Sequence, residues 1–215
     1  MLASVFRDRV DAGRRLAAEL EGALEPPVVV LGVARGSVIV AAEVARALGA
    51  RLDVVIPRKL GAPDNPELGV GAVAPGVLVV DLRSLEVLGI DERYVEAEAT
   101  RQQAEIERRT SAYREGGSPV ELRGVTALVV DDGVATGVTA VAALRWARAQ
   151  GASSVVFAAP VGPRGLERRF AAECDRCVVL ETPEHLRAVG QWYRRFEQTT
   201  DDQVRDALAA ARERA

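Results

Sequence analysis

The sequence predicts an α/β fold built on a mostly parallel sheet with helices on both faces. Three observations predict it. Five valine-rich apolar runs, at residues 28–31, 52–56, 126–130, 154–159 and 178–180, have the length and near-continuous hydrophobicity of strands buried on both faces. Stretches of helical composition at 38–48, 140–150 and 165–172 lie between them. Gly49 and Gly151 stand where a glycine would stop the first two of those helices. Strand–helix–strand alternation argues for parallel strands, because each crossover helix must pack its apolar face back onto the sheet.

The elements outside that rhythm follow from local composition. Residues 7–23 read as an amphipathic helix that ends before Pro26-Pro27. Residues 60–90 are rich in proline and glycine and read as mostly loop, with 68–73 and 77–80 paired as a hairpin around Pro75-Gly76. Residues 91–114 read as a long charged helix, most simply a solvated one, with a lid or a dimer surface as the sharper reading. Gly116-Gly117-Ser118-Pro119 is a short linker into the next strand. No internal repeat or clean second boundary is visible, so 1–215 is read as one domain, with 60–120 as an insertion.

Composition limits the function classes. The 215 residues carry a formal net charge of −3, which gives no bulk attraction to nucleic acid or to an anionic membrane. Any anion site must be local. No apolar run approaches the roughly 20 residues of a membrane span. Arg7, Asp8 and Arg9 charge the N-terminus too early for an export signal, and with two cysteines the expected compartment is the cytoplasm. Those two, Cys174 and Cys177, form a C-x-x-C. A helical stretch leads into the pair and an apolar run follows, the reverse of a redox motif, so a structural role is expected. His185 is the sole histidine, too few ligands for a zinc site and better read as a helix-opening or surface residue.

Residues 128–140 carry the most specific chemistry. A buried strand ends in Asp131-Asp132, followed by Gly133-Val134-Ala135-Thr136-Gly137 and a helix from near Thr139. Ligands of open α/β sheets bind at the carboxyl ends of strands. The glycines allow close backbone approach, and the amides from Ala135 to Thr139 can converge on an anion at the helix N-terminus, with Thr136 and Thr139 adding hydroxyls. Two adjacent carboxylates would repel a free phosphate. A sugar phosphate resolves the conflict: Asp131 and Asp132 accept hydrogen bonds from two ribose hydroxyls while the loop holds the 5′-phosphate. A divalent cation would offset the remaining charge.

Other stretches leave two readings open. Gly32-Val33-Ala34-Arg35-Gly36-Ser37 follows the first strand and opens a helix, as a turn or as a second anion loop. Arg58-Lys59 follows the second strand, as a solvated basic pair or as a pyrophosphate clamp. Trp192, Tyr193 and Phe196 could stack on a flat base, but their spacing better suits a helix face packed into the core.

The run from Val129 through Asp131, Asp132, Gly133, Val134, Ala135, Thr136, Gly137 and Val138 to Thr139 resembles the motif by which type I phosphoribosyltransferases bind 5-phosphoribosyl 1-pyrophosphate (PRPP). The stretches 61–68, 189–193 and 196–201 are similar to an uncharacterised bacterial subgroup of that family. The resemblance implies a doubly wound, mostly parallel sheet of about five strands, with a flexible loop and a small hood, the latter over 178–215. It implies that Asp131 and Asp132 hold the ribose and position Mg²⁺ indirectly, through PRPP or water. It places Ala34, Arg35, Gly36 and Ser37 in the pyrophosphate loop, where the subgroup usually shows Pro-Arg-Gly-Gly, and makes Arg58 and Lys59 pyrophosphate contacts. The implied activity is Mg²⁺-dependent phosphoribosyl transfer from PRPP to a small-molecule acceptor, in nucleotide metabolism. The subgroup does not name the acceptor, and family members are commonly homodimers. Enzymes acting on 6-oxopurines carry an aspartate where this sequence has Ala135, so that acceptor class is disfavoured. A non-catalytic PRPP- or nucleotide-binding regulator is the alternative.

Overall fold

The computed structural model describes residues 5–114 and 119–213, so positions 116–118 of the expected linker lie outside it. Helix α1 (Arg9–Leu20) begins where the Asp8 carboxylate accepts from the Asp11 amide, a side-chain cap for its first turn. Strand β1 (Val28–Val33), helix α2 (Ser37–Leu48) and strand β2 (Arg51–Val55) form the first β-α-β unit. Strands β3 (Arg58–Ala62), β4 (Asn65–Ala74) and β5 (Val77–Val80) follow, then helices α3 (Leu82–Leu88) and α4 (Glu92–Arg114). The chain returns to the sheet as β6 (Thr126–Val130), α5 (Val138–Ala149), β7 (Ser154–Val161), α6 (Leu166–Phe170) and β8 (Arg176–Glu181), and ends in α7 (Asp201–Arg212).

Five strands form one sheet in the order β2-β1-β6-β7-β8, and every pairing is parallel. Along each strand, alternate residues supply two cores. Val30, Leu128 and Val156 face α1, α2 and α7, where they meet Leu16, Leu20, Val44 and Leu208. Leu31, Val129 and Phe157 face the opposite way, toward Leu144 and Trp146 of α5 and Phe170 of α6. That two-sided burial explains why the strands read as continuous apolar runs. Direction reverses between β1 and β6: β2 lies outward of β1 on one side, while β7 and β8 extend the other. In such an order the crevice beyond the carboxyl ends at the reversal is where ligands bind.

The stretch 60–90, expected to be mostly loop with one hairpin, is more ordered than that. It forms a three-stranded antiparallel sheet, β3-β4-β5, of which the expected hairpin is the β4–β5 half. Glycines and prolines mark the bends of this sheet, with register shifts between Leu60 and Ala62. Helix α4 is not simply a solvated helix, since Ile106 and Tyr113 are fully buried. Its charged majority masks a narrow apolar stripe, these two residues being seven apart. His185 is exposed, with no helix opening at it. Trp192 and Tyr193 are buried, but from a single 3₁₀ turn (Val189–Trp192) and the extended chain after it rather than from an α-helix. Cys174 is buried and donates to the Phe170 carbonyl, in the turn before β8, while Cys177 sits within that strand.

Candidate active site

The carboxyl ends of β1 and β6 open into a cavity of about 300 Å³. It is lined by Ala34, Arg35, Gly36 and Ser37 from the first loop and by Asp131 to Gly137 with Thr139 from the second, closed by Pro57 and Val189. Two loops far apart in the chain therefore face one space. Val138 does not line it; its side chain packs on the α5 side of the core.

The second loop is tied to its neighbours before it reaches the cavity. The Asp131 and Val134 amides donate to the β7 carbonyls of Ala158 and Val161 at 3.0 and 2.9 Å. Gly137 takes φ 83°, the left-handed conformation, immediately before α5 starts. A Cβ there would meet the Phe170 ring at 3.0 Å, so both the backbone angle and the space select glycine. The Arg169 guanidinium donates to the Thr136 carbonyl at 2.5 Å, bracing the loop from outside. Helix α5 thus starts at the cavity wall, which Gly137 and Thr139 line, with no side-chain cap on its first amides, and an uncapped helix start is an arrangement that can bind phosphate.

The acid pair is held by a short network. Ser37 donates its hydroxyl to Asp131 Oδ1 at 2.7 Å, and the same oxygen accepts from the Asp132 amide at 2.8 Å. The Ser37 hydroxyl in turn accepts from the Asp132 amide at 2.9 Å. Ser37, at the position where the subgroup usually has glycine, is thus a bridge between the two loops. Asp131 is buried, and burial together with the adjacent Asp132 charge holds its carboxyl well above the ordinary carboxylate range. Asp132 Oδ2 accepts from Arg9 Nε at 2.6 Å, and its main-chain carbonyl accepts from the Tyr193 hydroxyl at 2.6 Å.

Arg58 and Lys59 do not line this cavity. They line its neighbour, of about 360 Å³, which shares the Pro57 wall and is closed by Tyr94, Glu98, Arg101 and Gln102 of α4. Arg58 donates to Gln102 Oε1 at 2.8 Å, and Gln102 donates on to Glu98 at 2.8 Å. Burial, and then the nearby charges of Arg109 and Arg35, pull the Arg58 guanidinium below its usual value. Arg35 is engaged in the same way: it donates to Asp201 at 3.4 Å, and Asp201 also accepts from the Tyr113 hydroxyl at 2.6 Å. Helix α4 therefore reaches both basic positions, directly at Arg58 and through Tyr113 and Asp201 at Arg35.

Sequence reasoning missed Arg9, Gln102 and Asp201, and weighed Tyr193 only as a stacking or core residue. Asp201 ends the 196–201 stretch that resembles the bacterial subgroup, a signal that carried no role, and nothing local marks Arg9 or Gln102, because each acquires its partner only when distant segments meet. No group of three or more His, Cys, Asp or Glu side chains that could enclose a metal occurs among the described residues. What they offer a metal is the acid pair of Asp131 and Asp132, at the wall of a cavity whose other donors are loop amides and hydroxyls. That set suits an ion brought in on substrate oxygens rather than a protein-built cage. No helix among the described residues is long and apolar enough to cross a membrane.

Comparison with known proteins bears on the whole chain. Two curated proteins of Mycobacterium tuberculosis, from strains CDC 1551 / Oshkosh and ATCC 25618 / H37Rv and provisionally named phosphoribosyl transferases, are each 47% identical over 201 residues. The match covers 93% of this chain and 45% of theirs, so the chain spans about half the length of the curated relatives it matches. The crystal structure of the TT1426 protein of Thermus thermophilus is 42% identical, superposes with a TM-score of 0.79, and is covered over 98% of its length by 95% of this chain. A Neisseria gonorrhoeae protein crystallised with ppGpp shares the fold at 14% identity, a TM-score of 0.50 and 98% coverage of both chains. The family model described as the phosphoribosyl transferase domain matches residues 6–191, which take in both loops and the acid pair, and the chain belongs to that family.

Proposed function

We propose that this chain transfers a 5-phosphoribosyl group from PRPP to a nitrogenous small-molecule acceptor and releases pyrophosphate. The observation that carries the reading is the single cavity between β1 and β6, in which an acid pair lies between two loops that open helices. The 5′-phosphate would sit on the amides from Ala135 to Thr139, and the ribose hydroxyls would donate to Asp131 and Asp132. Arg35, Gly36 and Ser37 would meet the pyrophosphate on its near side. Arg58 and Lys59, across Pro57, would meet its far end once the phosphates displace water and the Gln102 contact.

In the reaction the C1–O bond to pyrophosphate breaks, with the electron pair leaving on the pyrophosphate oxygen. A C1–N bond forms to the acceptor, which gives up a proton. The sugar passes through an oxocarbenium-like state, so the protein's contribution is position and charge rather than a covalent intermediate. Mg²⁺, held indirectly by Asp131 and Asp132 through ribose hydroxyls and water, would supply neutralisation of the pyrophosphate. With Ala135 before the Thr-Gly step, the loop offers no carboxylate toward the base, which supports an acceptor other than a 6-oxopurine.

The test is pyrophosphate release from PRPP and Mg²⁺ across a panel of nitrogenous bases. Release with at least one base is the expected result. Saturable PRPP binding with no turnover across the panel would instead point to a sensor of PRPP. Absence of PRPP binding would overturn the reading altogether. A cytoplasmic homodimer is part of the same proposal, and sedimentation of the purified chain reads the assembly directly.

A further inference from the structure

We infer that Arg9 is a positioning residue of the ribose site, fixing the Asp132 carboxylate and offsetting one of the two adjacent acidic charges. The inference rests on the PRPP reading above and adds to it a residue from the other end of the chain.

The geometry separates Arg9 from an ordinary helix-surface arginine. Arg14 and Arg15 of the same helix have side chains 58% and 51% exposed and pair with Glu43 and Asp11, the usual loose surface arrangement. Arg9 and Asp132 are 13% and 15% exposed and meet at 2.6 Å, across 123 residues of sequence. The guanidinium is then held on its remaining sides. Its carbon lies 3.9 Å from the centre of the Phe196 ring, and one terminal nitrogen donates to the Glu197 carbonyl at 2.7 Å. A Cβ on Gly36 would lie 2.4 Å from Asp132 Oδ2 and 2.7 Å from Arg9 Nε, so the pyrophosphate-side loop closes directly over this ion pair, and a side chain there would push the pair out of place.

The seat itself is built in. Phe6 and the chain at 192–194 exchange main-chain hydrogen bonds of 2.9 Å, Phe6 donating to Trp192 and accepting from Arg194. Phe6, Tyr193 and Phe196 stack in series at 5.4 and 4.8 Å. Tyr193 reaches from that stack to the Asp132 carbonyl. One aromatic seat therefore holds Asp132 twice, by its main chain through Tyr193 and by its side chain through Arg9. Two neighbouring carboxylates in a partly buried site repel each other, and a fixed cation on the outer oxygen leaves the inner edges of the pair turned toward Ser37 and the cavity. A ribose would then meet acceptors that are already aimed, with less of the binding free energy lost to ordering them.

Calorimetric titration of the full chain with PRPP and Mg²⁺ tests this without requiring turnover. Arg9→Ala is expected to weaken binding by about tenfold or more, because it leaves a sheltered carboxylate without its partner. Arg9→Lys should recover part of the loss, and millimolar guanidinium should recover part of it in Arg9→Ala. Phe196→Leu, which keeps both charges and removes the stack, should give a smaller loss in the same direction. Unchanged PRPP affinity in Arg9→Ala would overturn the inference while leaving the PRPP reading intact. A loss that neither lysine nor guanidinium relieves would make Arg9 a merely structural residue and overturn it equally. Failure of the unmodified chain to bind PRPP would remove the reading beneath it, a result visible before any variant is made.

Discussion

The two cavities on either side of Pro57 solve opposite electrostatic problems. In the first, two carboxylates are gathered and then restrained, Asp131 by Ser37 and Asp132 by Arg9. In the second, Arg58 and Lys59 are gathered against α4, and Arg58 rests on the neutral amide of Gln102 rather than on a carboxylate. A substrate with a hydroxylated sugar at one end and a pyrophosphate at the other fits that asymmetry. The sugar needs aimed acceptors, which cost free energy to assemble; the pyrophosphate needs cations, which an amide can steady without neutralising.

The most severe way to break this division is at the acids. Asp132→Asn should reduce affinity for both PRPP and ribose 5-phosphate by about 2 kcal/mol or more, since it removes a ribose acceptor and strands Arg9. Titration calorimetry with both ligands reads it. Arg58→Gln should sharpen the comparison rather than abolish it: PRPP affinity falls by about 1.5–3 kcal/mol, the range for a hydrogen bond to a charged group, while ribose 5-phosphate affinity stays put. Equal losses for the two ligands would mean that Arg58 is not on the pyrophosphate side.

A third outcome concerns stability without ligand. Because the Asp131 carboxyl is raised by burial and by Asp132, the folded chain holds a proton that the unfolded chain has released. Stability contributed at this site is therefore present at low pH and falls as pH rises from the ordinary carboxylate value toward the raised one. Asp131→Asn removes that slope. Urea melts should show the variant gaining on the unmodified chain between about pH 4 and about pH 7, the ordinary and the raised positions of this carboxyl. The gain should be about 1 kcal/mol or more, since each tenfold change in proton affinity is worth about 1.36 kcal/mol. The smallest effect is expected at Tyr113→Phe, which deletes the hydroxyl donated to Asp201. It should lower stability by about 1 kcal/mol and free Asp201 to hold Arg35 alone, a modest decrease in PRPP affinity by the same titration.

Legibility followed range along the chain. The five strands were readable because two-sided burial leaves an unbroken apolar run, as at Val28–Val33 and Thr126–Val130. The loop from Asp131 to Thr139 was readable because strand end, acids, glycines and helix start are contiguous. The region 58–114 was readable only in part, as the β4–β5 hairpin and the span of α4. Strand β3 runs Arg58, Lys59, Leu60, Gly61, Ala62, with two charges and a single large apolar side chain, so it does not stand out, and α4 hides Ile106 and Tyr113 among the charged side chains of a 23-residue helix. The pairing of β3 with β4, and the role of α4 at Arg58, exist only once the antiparallel sheet forms.

By itself, then, the sequence determined the parallel sheet, the helices on each face and the acid-and-glycine loop between β6 and α5, since periodicity and contiguous spacing encode all three. Tertiary structure alone decided that Ser37 would bridge the acids, that Gln102 would steady Arg58, and that Arg9 would reach Asp132 from 123 residues away. Those contacts depend on which distant segments the core brings together. No local preference specifies them, because an arginine in the first turn of an amphipathic helix looks the same in sequence whether it meets solvent or a carboxylate.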